Sequence, residues 1–314
     1  MFSESLEFLD NIRLNFNQEG LVVLNLTLAF VMFGVALELK TERFKMVFTK
    51  PKSAIIGVVS QFIIMPVLTL ILAILLNPTP SIALGMILVA SCPGGNISNF
   101  MTALAKGNTE LSVSLTAIAD FSALIMTPLN FAFWGNIYAS IYAKGSGLLI
   151  PIEIDAFEMF KTMVVLLGIP LTIGMLFSNR FPKITAKIVK PIKIASILIF
   201  GGYVVGALAL NWEHLVKSVH LVFIIVLIHN ALAITTGFSI ATIFKRNNRD
   251  RRTITIETGI QNSGLALVLI FNPKLFNGLG GMAFIAALWG IWHIISGLSI
   301  AAWWSKHPSE NSKQ

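Results

Sequence analysis

The sequence predicts an all-α polytopic membrane protein, and three observations lead to this prediction. Of the 314 residues, 55% are hydrophobic and only 12% are charged, and the mean hydropathy is +0.79. Soluble globular domains do not have this composition. Apolar runs of membrane-spanning length recur along the chain, and short basic clusters separate them. Two of these runs are interrupted by glycine, proline and amide side chains, at comparable places in the two halves.

Nine apolar runs are long enough to cross a membrane, so we predict nine transmembrane helices. They lie at about 21–39, 53–76, 81–105, 111–134, 159–178, 194–211, 219–243, 253–272 and 279–303. We expect residues 21–304 to form a single transmembrane unit with a short cytoplasmic tail at 305–314. Residues 1–20 are acidic and lack the character of a signal peptide. Within them Leu6, Leu9, Ile12 and Phe16 recur at helical spacing, which predicts an amphipathic helix on the membrane surface.

The basic residues fall into loops that alternate along the chain. They follow the first, fifth and seventh runs, at Lys40, Arg43, Lys45, Lys50 and Lys52, at Arg180, Lys183, Lys187, Lys190 and Lys193, and at Lys245, Arg246, Arg249, Arg251 and Arg252. By the positive-inside rule, we expect the N-terminus outside and the C-terminus in the cytoplasm. We expect the membrane to be the cell membrane, the inner membrane of a bacterium. The net charge of +8 is therefore assigned to topology and not to nucleic-acid binding. The single cysteine, Cys92, excludes an internal disulfide.

A weak internal repeat relates the two halves of the chain. Gln61 precedes Gly95 by 34 positions, and His229 precedes Gly264 by 35. In each half, a run with a polar residue near its middle precedes an interrupted run. We therefore expect a first repeat at 21–134 and a second at 159–304, inverted if one span is missing at the front.

The two interruptions carry the chemistry. In Ser91–Asn99, Pro93 removes a backbone donor, and Gly94 and Gly95 weaken the helix. The second interruption, at Thr255–Gly264, contains Glu257. A carboxylate at the centre of a spanning helix costs about 2.5–3.5 kcal/mol, so it needs a partner or a water-filled site. Two such breaks in comparable halves predict a transporter site near the bilayer midplane.

Ser112, Thr116 and Asp120 are spaced by four residues and therefore share one helix face. Together with Ser98 and Asn99 they offer neutral oxygens, to which Glu257 would add one negative charge. Such a set suits a hard cation. The alternative is that the hydroxyls only hydrogen-bond neighbouring helices, but that leaves the burial of Glu257 unexplained.

Several strings resemble the bile-acid:sodium symporter family. They are Cys92-Pro93-Gly94-Gly95, Ser98-Asn99, Glu257-x-Gly259-x-Gln261-Asn262-Ser263-Gly264-Leu265-Ala266 and Trp292-His293-x-x-Ser296-Gly297. The resemblance extends from Leu21 to Trp304. It implies a core domain and a panel domain built from two inverted repeats, with two discontinuous helices that cross in the core. The chain resembles the nine-span form, which lacks the first helix of ten-span relatives.

The resemblance also implies two sodium sites that share Glu257. The first would use Ser98, Asn99, Ser112, Thr116 and Glu257. The second would use Gln61, Glu257 and Gln261, with backbone oxygens of Thr258 and Ile260. An organic anion would bind beside the crossover, near Asn96, Asn262 and His293.

Two positions depart from that pattern. Ile294 stands where some members have asparagine, which puts one polar substrate contact in doubt. Asp120 stands where relatives have a hydroxyl. It could bind a proton, pair with a base such as Lys161, disfavour bulky anions, or simply be solvated near the outer end of its span.

These observations predict a monomeric symporter that imports an organic anion with sodium, either bile-acid-like or a smaller carboxylate. The alternative is an uncoupled or proton-coupled organic-anion transporter, or a sensor, on the same scaffold. An intramembrane enzyme that uses Glu257 with His229 or His293 is disfavoured, because the chain has no H-E-x-x-H motif and no nucleophile elbow.

Overall fold

The structure is a computed structural model that describes residues 7–12, 18–38, 51–95, 97–146, 155–210 and 212–307. Regular secondary structure in these ranges is helical, apart from isolated bridge residues. The helices are α1 Phe8–Asn11, α2 Gln18–Glu38, α3 Pro51–Leu76, α4 Pro80–Ser91, α5 Ile97–Leu104, α6 Thr109–Ser146, α7 Ala156–Arg180, α8 Pro182–Leu210, α9 Trp212–Ile243, α10 Asn248–Gly259, α11 Ser263–Phe271 and α12 Gly280–Lys306.

Five of these helices are long and apolar enough to cross a membrane, namely α3, α6, α7, α9 and α12. Shorter apolar segments lie at Asn25–Leu37 within α2 and at α4. Large apolar side chains point outward from several helices, with Leu75 76% exposed and Ile243 68% exposed. Such surfaces are stable in lipid and costly in water. The prediction of a helical, multi-pass membrane protein is confirmed.

A π-helical segment at Ser60–Ile64 widens α3 in its middle. The N–H of Met65 donates to the carbonyl of Ser60, five residues back. Pro66 has no N–H, so it cannot bond the carbonyl of Phe62, which instead accepts from Asn130 Nδ2 at 2.9 Å. The segment contains the buried Gln61, and π-helical turns of this kind are frequent at functional sites.

The two interrupted runs meet at their breaks. The N–H of Gly95 donates to the carbonyl of Ile260 at 2.8 Å, and the N–H of Asn262 donates to the carbonyl of Pro93 at 2.8 Å. These bonds flank a short antiparallel bridge between Gly94 and Gln261. The N–H and carbonyl groups that lose their helical partners in one break are thus hydrogen-bonded by the other break. Because these groups are paired, unwound backbone is stable inside the protein.

Helix α1 packs on the ends of two longer helices. The N–H of Ser81 donates to Asp10 Oδ1 at 3.0 Å, and the N–H of Gly280 donates to the carbonyl of Ile12 at 2.9 Å. Leu9 is fully buried, so in the described part of this segment it faces protein and not the membrane surface. Leu6 and Phe16 lie outside the described residues.

Gly237 allows α9 and α10 to pack in direct backbone contact, and this gives a test of the packing. A Cβ at Gly237 would lie 2.8 Å from the carbonyl oxygen of Ile254 and 2.8 Å from the Cα of Thr255. We expect Gly237→Ala to lower stability by about 1–3 kcal/mol, because backbone must move. The measurement is the melting temperature of the purified protein in detergent.

Gly206→Ala is the matched control, because a Cβ there meets no atom within 4 Å. Alanine favours a helix over glycine by about 1 kcal/mol, so this variant should melt at the same or a higher temperature. Equal melting temperatures for the two variants would contradict the close contact of α9 with α10.

Candidate functional site

Glu257 lies in α10 and is 2% exposed. Its Oε1 accepts hydrogen bonds from Ser98 Oγ at 2.7 Å and from Ser112 Oγ, and its Oε2 accepts from Thr116 Oγ1 at 3.3 Å. Among the residues that the structure describes, no basic side chain forms an ion pair with Glu257. The charge is therefore surrounded by neutral hydroxyls, which can also turn their lone pairs toward a cation.

Asn99 completes this group. Its Oδ1 lies 2.9 Å from Ser112 Oγ and 3.4 Å from Thr116 Oγ1. The structure thus brings together the five residues expected at the first sodium site. Ser112 and Thr116 are neighbours because residues four apart share a helix face.

Thr102 also belongs to this group, and the sequence analysis missed it. Thr102 Oγ1 lies 3.3 Å from Ser112 Oγ, and the two hydroxyls are within hydrogen-bond distance. Thr102 lies four residues after Ser98 on α5, so the same helical spacing could have found it.

Two buried glutamine amides lie at the meeting of the breaks. Gln261 Nε2 donates to the carbonyl of Thr258 at 2.9 Å, while Gln261 Oε1 has no partner among the described residues. Gln61 Nε2 likewise has no partner. Buried polar atoms without partners are rare and costly. Because rotation of a glutamine amide exchanges its oxygen and nitrogen, either side chain can present an oxygen to a ligand.

Gly94 lies between the amide of Gln61 and the carboxylate of Glu257. A Cβ at Gly94 would lie 3.2 Å from Gln61 Nε2 and 3.2 Å from Glu257 Oε2. Glycine therefore lets Gln61 and Glu257 approach the same stretch of backbone. Two residues expected at the second sodium site are thus close to one another.

The two backbone oxygens expected at the second site already accept hydrogen bonds. The carbonyl of Thr258 accepts from Gln261, and the carbonyl of Ile260 accepts from Gly95. Each carbonyl oxygen has a second lone pair. Ser60 Oγ lies 2.9 Å from Thr258 Oγ1. Ser60 was not predicted as a site residue, although Ser60 directly precedes Gln61 in the sequence.

The residues expected to bind substrate are not joined by hydrogen bonds in the described part of the chain, unlike the residues around Glu257. Asn262 accepts from the N–H of Leu265 at 3.0 Å and thereby caps α11. His293 is buried in α12, and its Nδ1 has no hydrogen-bond partner in the described part of the chain. No hydrogen bond among the described residues joins His293 to Asn262. Asn96 lies outside the described residues.

The burial of Asp120 contradicts one of the roles that were expected for this residue. It is 0% exposed, so the interpretation of a solvated carboxylate near the outer end of its span is wrong. Both carboxylate oxygens lack hydrogen-bond partners among the described residues. Lys161, considered as its base, instead pairs with Glu158 at the surface.

A further polar network joins helix ends beside Asn108, and hydropathy alone did not predict it. Asp250 accepts from Ser53 Oγ at 2.7 Å and from Asn108 Nδ2 at 2.7 Å. Arg252 donates to the carbonyls of Ala105 at 2.7 Å and Trp304 at 3.1 Å. These residues tie α3, α6, α10 and α12 together, where the sequence showed only one more basic cluster.

A multi-pass helical protein in which two broken helices meet around a buried, unpaired carboxylate has the design of a secondary transporter. The chain belongs to the sodium bile acid symporter family, whose model matches residues 25–218. Confirmation of the family agrees with the resemblance found in the motifs of the two breaks.

Curated relatives support this assignment. The chain is 34% identical over 279 residues to the uncharacterized sodium-dependent transporter YocS of Bacillus subtilis (strain 168), covering 89% of this chain and 82% of that one. It is 30% identical to the probable chloroplastic sodium/metabolite cotransporter BASS1 of Arabidopsis thaliana, covering 77% and 57%. It is 29% identical to the human ileal sodium/bile acid cotransporter, covering 81% and 71%. These relatives are named as transporters, which confirms the prediction of a transporter and not an enzyme.

Proposed function

We propose that this protein is a symporter that couples the entry of two sodium ions to the uptake of an organic anion. The observation that carries the proposal is the environment of Glu257, which is buried with three hydroxyl donors and no described basic partner. A buried carboxylate is stable when a cation neutralises it. Sodium is a hard cation, and every side chain around Glu257 offers oxygen.

The first sodium ion would bind among Ser98, Asn99, Ser112, Thr116 and Glu257. In the structure the three hydroxyls point at the carboxylate and at Asn99, so a cation would take over contacts that already converge. Little rearrangement is then required, which favours binding.

The second sodium ion would bind on the other side of the carboxylate, near Gly94. Its ligands would be Glu257, Gln61 and Gln261, with backbone oxygens of Thr258 and Ile260. The amides of Gln261 and Gln61 support this site. Gln261 Oε1 has no described partner, and rotation of the Gln61 amide would bring its oxygen to the place of the unpartnered Nε2, so a cation would bind groups that otherwise remain unpaired. Glu257 would then be shared by both ions.

The proposed architecture has nine crossings, inverted repeats at 21–134 and 159–304, and a core domain that moves against a panel domain to give alternating access. The meeting of the two breaks supports the core. The alternating basic clusters support a cell-membrane topology with the N-terminus outside and the C-terminus in the cytoplasm. We propose that the protein works as a monomer.

The anion, bile-acid-like or a smaller carboxylate, would bind beside the crossover near Asn96, Asn262 and His293. Asn262 caps the N-terminus of α11, an end whose dipole favours negative charge. Sodium would hold the breaks in the shape that the anion binds, so each ligand would raise the affinity of the other by the same factor.

Uptake into proteoliposomes with a sodium gradient tests this function. The purified protein is first screened for thermal stabilisation by a panel of organic anions, with and without sodium, because a ligand stabilises the state that binds it. We expect at least one carboxylate or sulfonate to stabilise only in sodium and then to accumulate when the sodium gradient points inward. Uptake that is equal in sodium and in choline would contradict coupling and would favour the uncoupled transporter.

A proton-coupled transporter is the second candidate, and the buried, unpaired carboxyl of Asp120 is the observation that favours it. Accumulation driven by an inward pH gradient in the absence of sodium would support this alternative.

A further inference from the structure

Asp120 faces the break between α4 and α5. On the same face of α6, Thr116 Oγ1 lies 3.4 Å from Asn99 Oδ1, and Thr127 Oγ1 donates to the carbonyl of Ser91 at 2.8 Å. Residues 116, 120 and 127 fall within a narrow sector of a helix with 3.6 residues per turn. Asp120 lies between two contacts that bracket the unwound segment, and is therefore at the level of Cys92–Gly95.

Glu257 lies close to Asp120, because it accepts a hydrogen bond from Thr116, which is one helical turn before Asp120. The helices packed against α6 carry their other described charges near their ends, as does α6 itself. These residues are Lys52, Glu110, Lys144, Glu158, Lys161, Arg180, Arg249, Asp250, Arg251 and Arg252. Within the described part of the chain, the middle of this region therefore holds two carboxylates, Asp120 and Glu257, and no basic side chain. Two buried negative charges without compensation are unfavourable.

We propose that Asp120 binds a monovalent cation of its own, in addition to the two sodium ions assigned to Glu257. This inference rests on the proposed function and extends it. Both carboxylate oxygens of Asp120 lack partners among the described residues. The carbonyls of Pro93 and Gly95 in the unwound segment each accept one hydrogen bond and keep a second lone pair. Two sodium ions at Glu257 leave one positive charge to offset an organic anion. Asp120 adds one negative charge, and a third cation, either sodium or a proton, neutralises it.

Counting bound cations on the purified protein tests the proposal without knowledge of the anion. Bound 22Na+ per protein is measured by equilibrium dialysis, and the sodium dependence of the melting temperature is measured at two pH values. The variants are Asp120→Asn and Asp120→Thr, with Glu110→Gln as the control because Glu110 is an exposed carboxylate on the same helix. We expect both Asp120 variants to bind one cation fewer than the wild type and than the control.

The two sources of the cation give different results. If the cation is sodium, wild-type protein binds one more 22Na+ than Asp120→Asn. If it is a proton, sodium counts are equal, but sodium affinity depends less on pH in Asp120→Asn than in the wild type, the remaining dependence being that of Glu257. Equal sodium counts with equal pH dependence would overturn the proposal.

The wild-type protein alone and the Glu257→Gln variant provide two further measurements. If neither Asp120 variant folds, the wild-type protein is decisive: two bound sodium ions, with a proton release on sodium binding that one carboxyl, Glu257, accounts for, also overturn the proposal. Glu257→Gln separates the two claims. Sodium counts unaffected by Glu257→Gln would contradict the sodium sites of the proposed function, whereas the difference at Asp120 is measured independently.

Discussion

Replacement of Glu257 by glutamine is expected to abolish sodium-driven uptake while the protein remains folded. Glutamine keeps an oxygen that can accept from Ser98 and Ser112, so the local hydrogen bonds can persist. It removes the charge that both proposed ions share. At an effective dielectric constant of about 20, a carboxylate attracts a cation about 4 Å away by about 4 kcal/mol. Loss of about 4 kcal/mol corresponds to about a 1,000-fold weaker affinity.

The measurements are initial uptake of the identified anion under a sodium gradient and the shift of the melting temperature with sodium concentration. Both responses should disappear in Glu257→Gln and persist in Glu110→Gln, which removes an exposed carboxylate near the start of α6. A melting temperature in sodium-free buffer equal to or above that of the wild type would show that folding survives. Sodium-driven uptake at the wild-type rate in Glu257→Gln would refute both proposed sodium sites.

Hydropathy predicts much of this fold because lipid-exposed helices must be apolar along their buried length. The runs at 53–76 and 159–178 correspond to Pro51–Leu76 and Ala156–Arg180. The run at 111–134 is extended in the structure to Ser146, and the run at 194–211 begins in the structure at Pro182. Hydropathy reports only the part of a helix inside the hydrocarbon, so it underestimates helices that continue beyond it.

Local patterns predict one part of the site and miss another. The spacing of Ser112 and Thr116 places their hydroxyls on one face, but nothing local indicates that Glu257, 145 residues from Ser112, meets them. That contact depends on the tertiary meeting of two breaks, so the sequence could propose it only from the cost of burying Glu257 and from the family motifs. The burial of Asp120 and the π-helical segment around Gln61 also depend on neighbouring helices. The spacing of residues therefore predicted the helix face on which Asp120 lies, but it did not predict that the side chain is buried.

The second large effect is expected from Gly94→Ala, which should weaken sodium binding without unfolding the protein. The added methyl group would lie 3.2 Å from both Gln61 Nε2 and Glu257 Oε2, where the second sodium ion is proposed to bind. The two side chains must move apart, so oxygens needed by the ion separate. We expect the sodium concentration at half-maximal uptake to rise at least about tenfold, equivalent to about 1.4 kcal/mol.

The same substitution should affect the second sodium site and spare the first. Gly94 lies beside Gln61, a proposed ligand of the second ion. The hydroxyls of the first site contact Glu257 from Ser98, Ser112 and Thr116. Bound 22Na+ at low sodium concentration should fall from two ions at Glu257 to one. Gly202→Ala is the matched control, since a Cβ there meets no atom within 4 Å and should leave both values unchanged. Loss of both ions together would indicate that they bind as one unit through Glu257, and unchanged sodium binding would place the second ion away from Gly94.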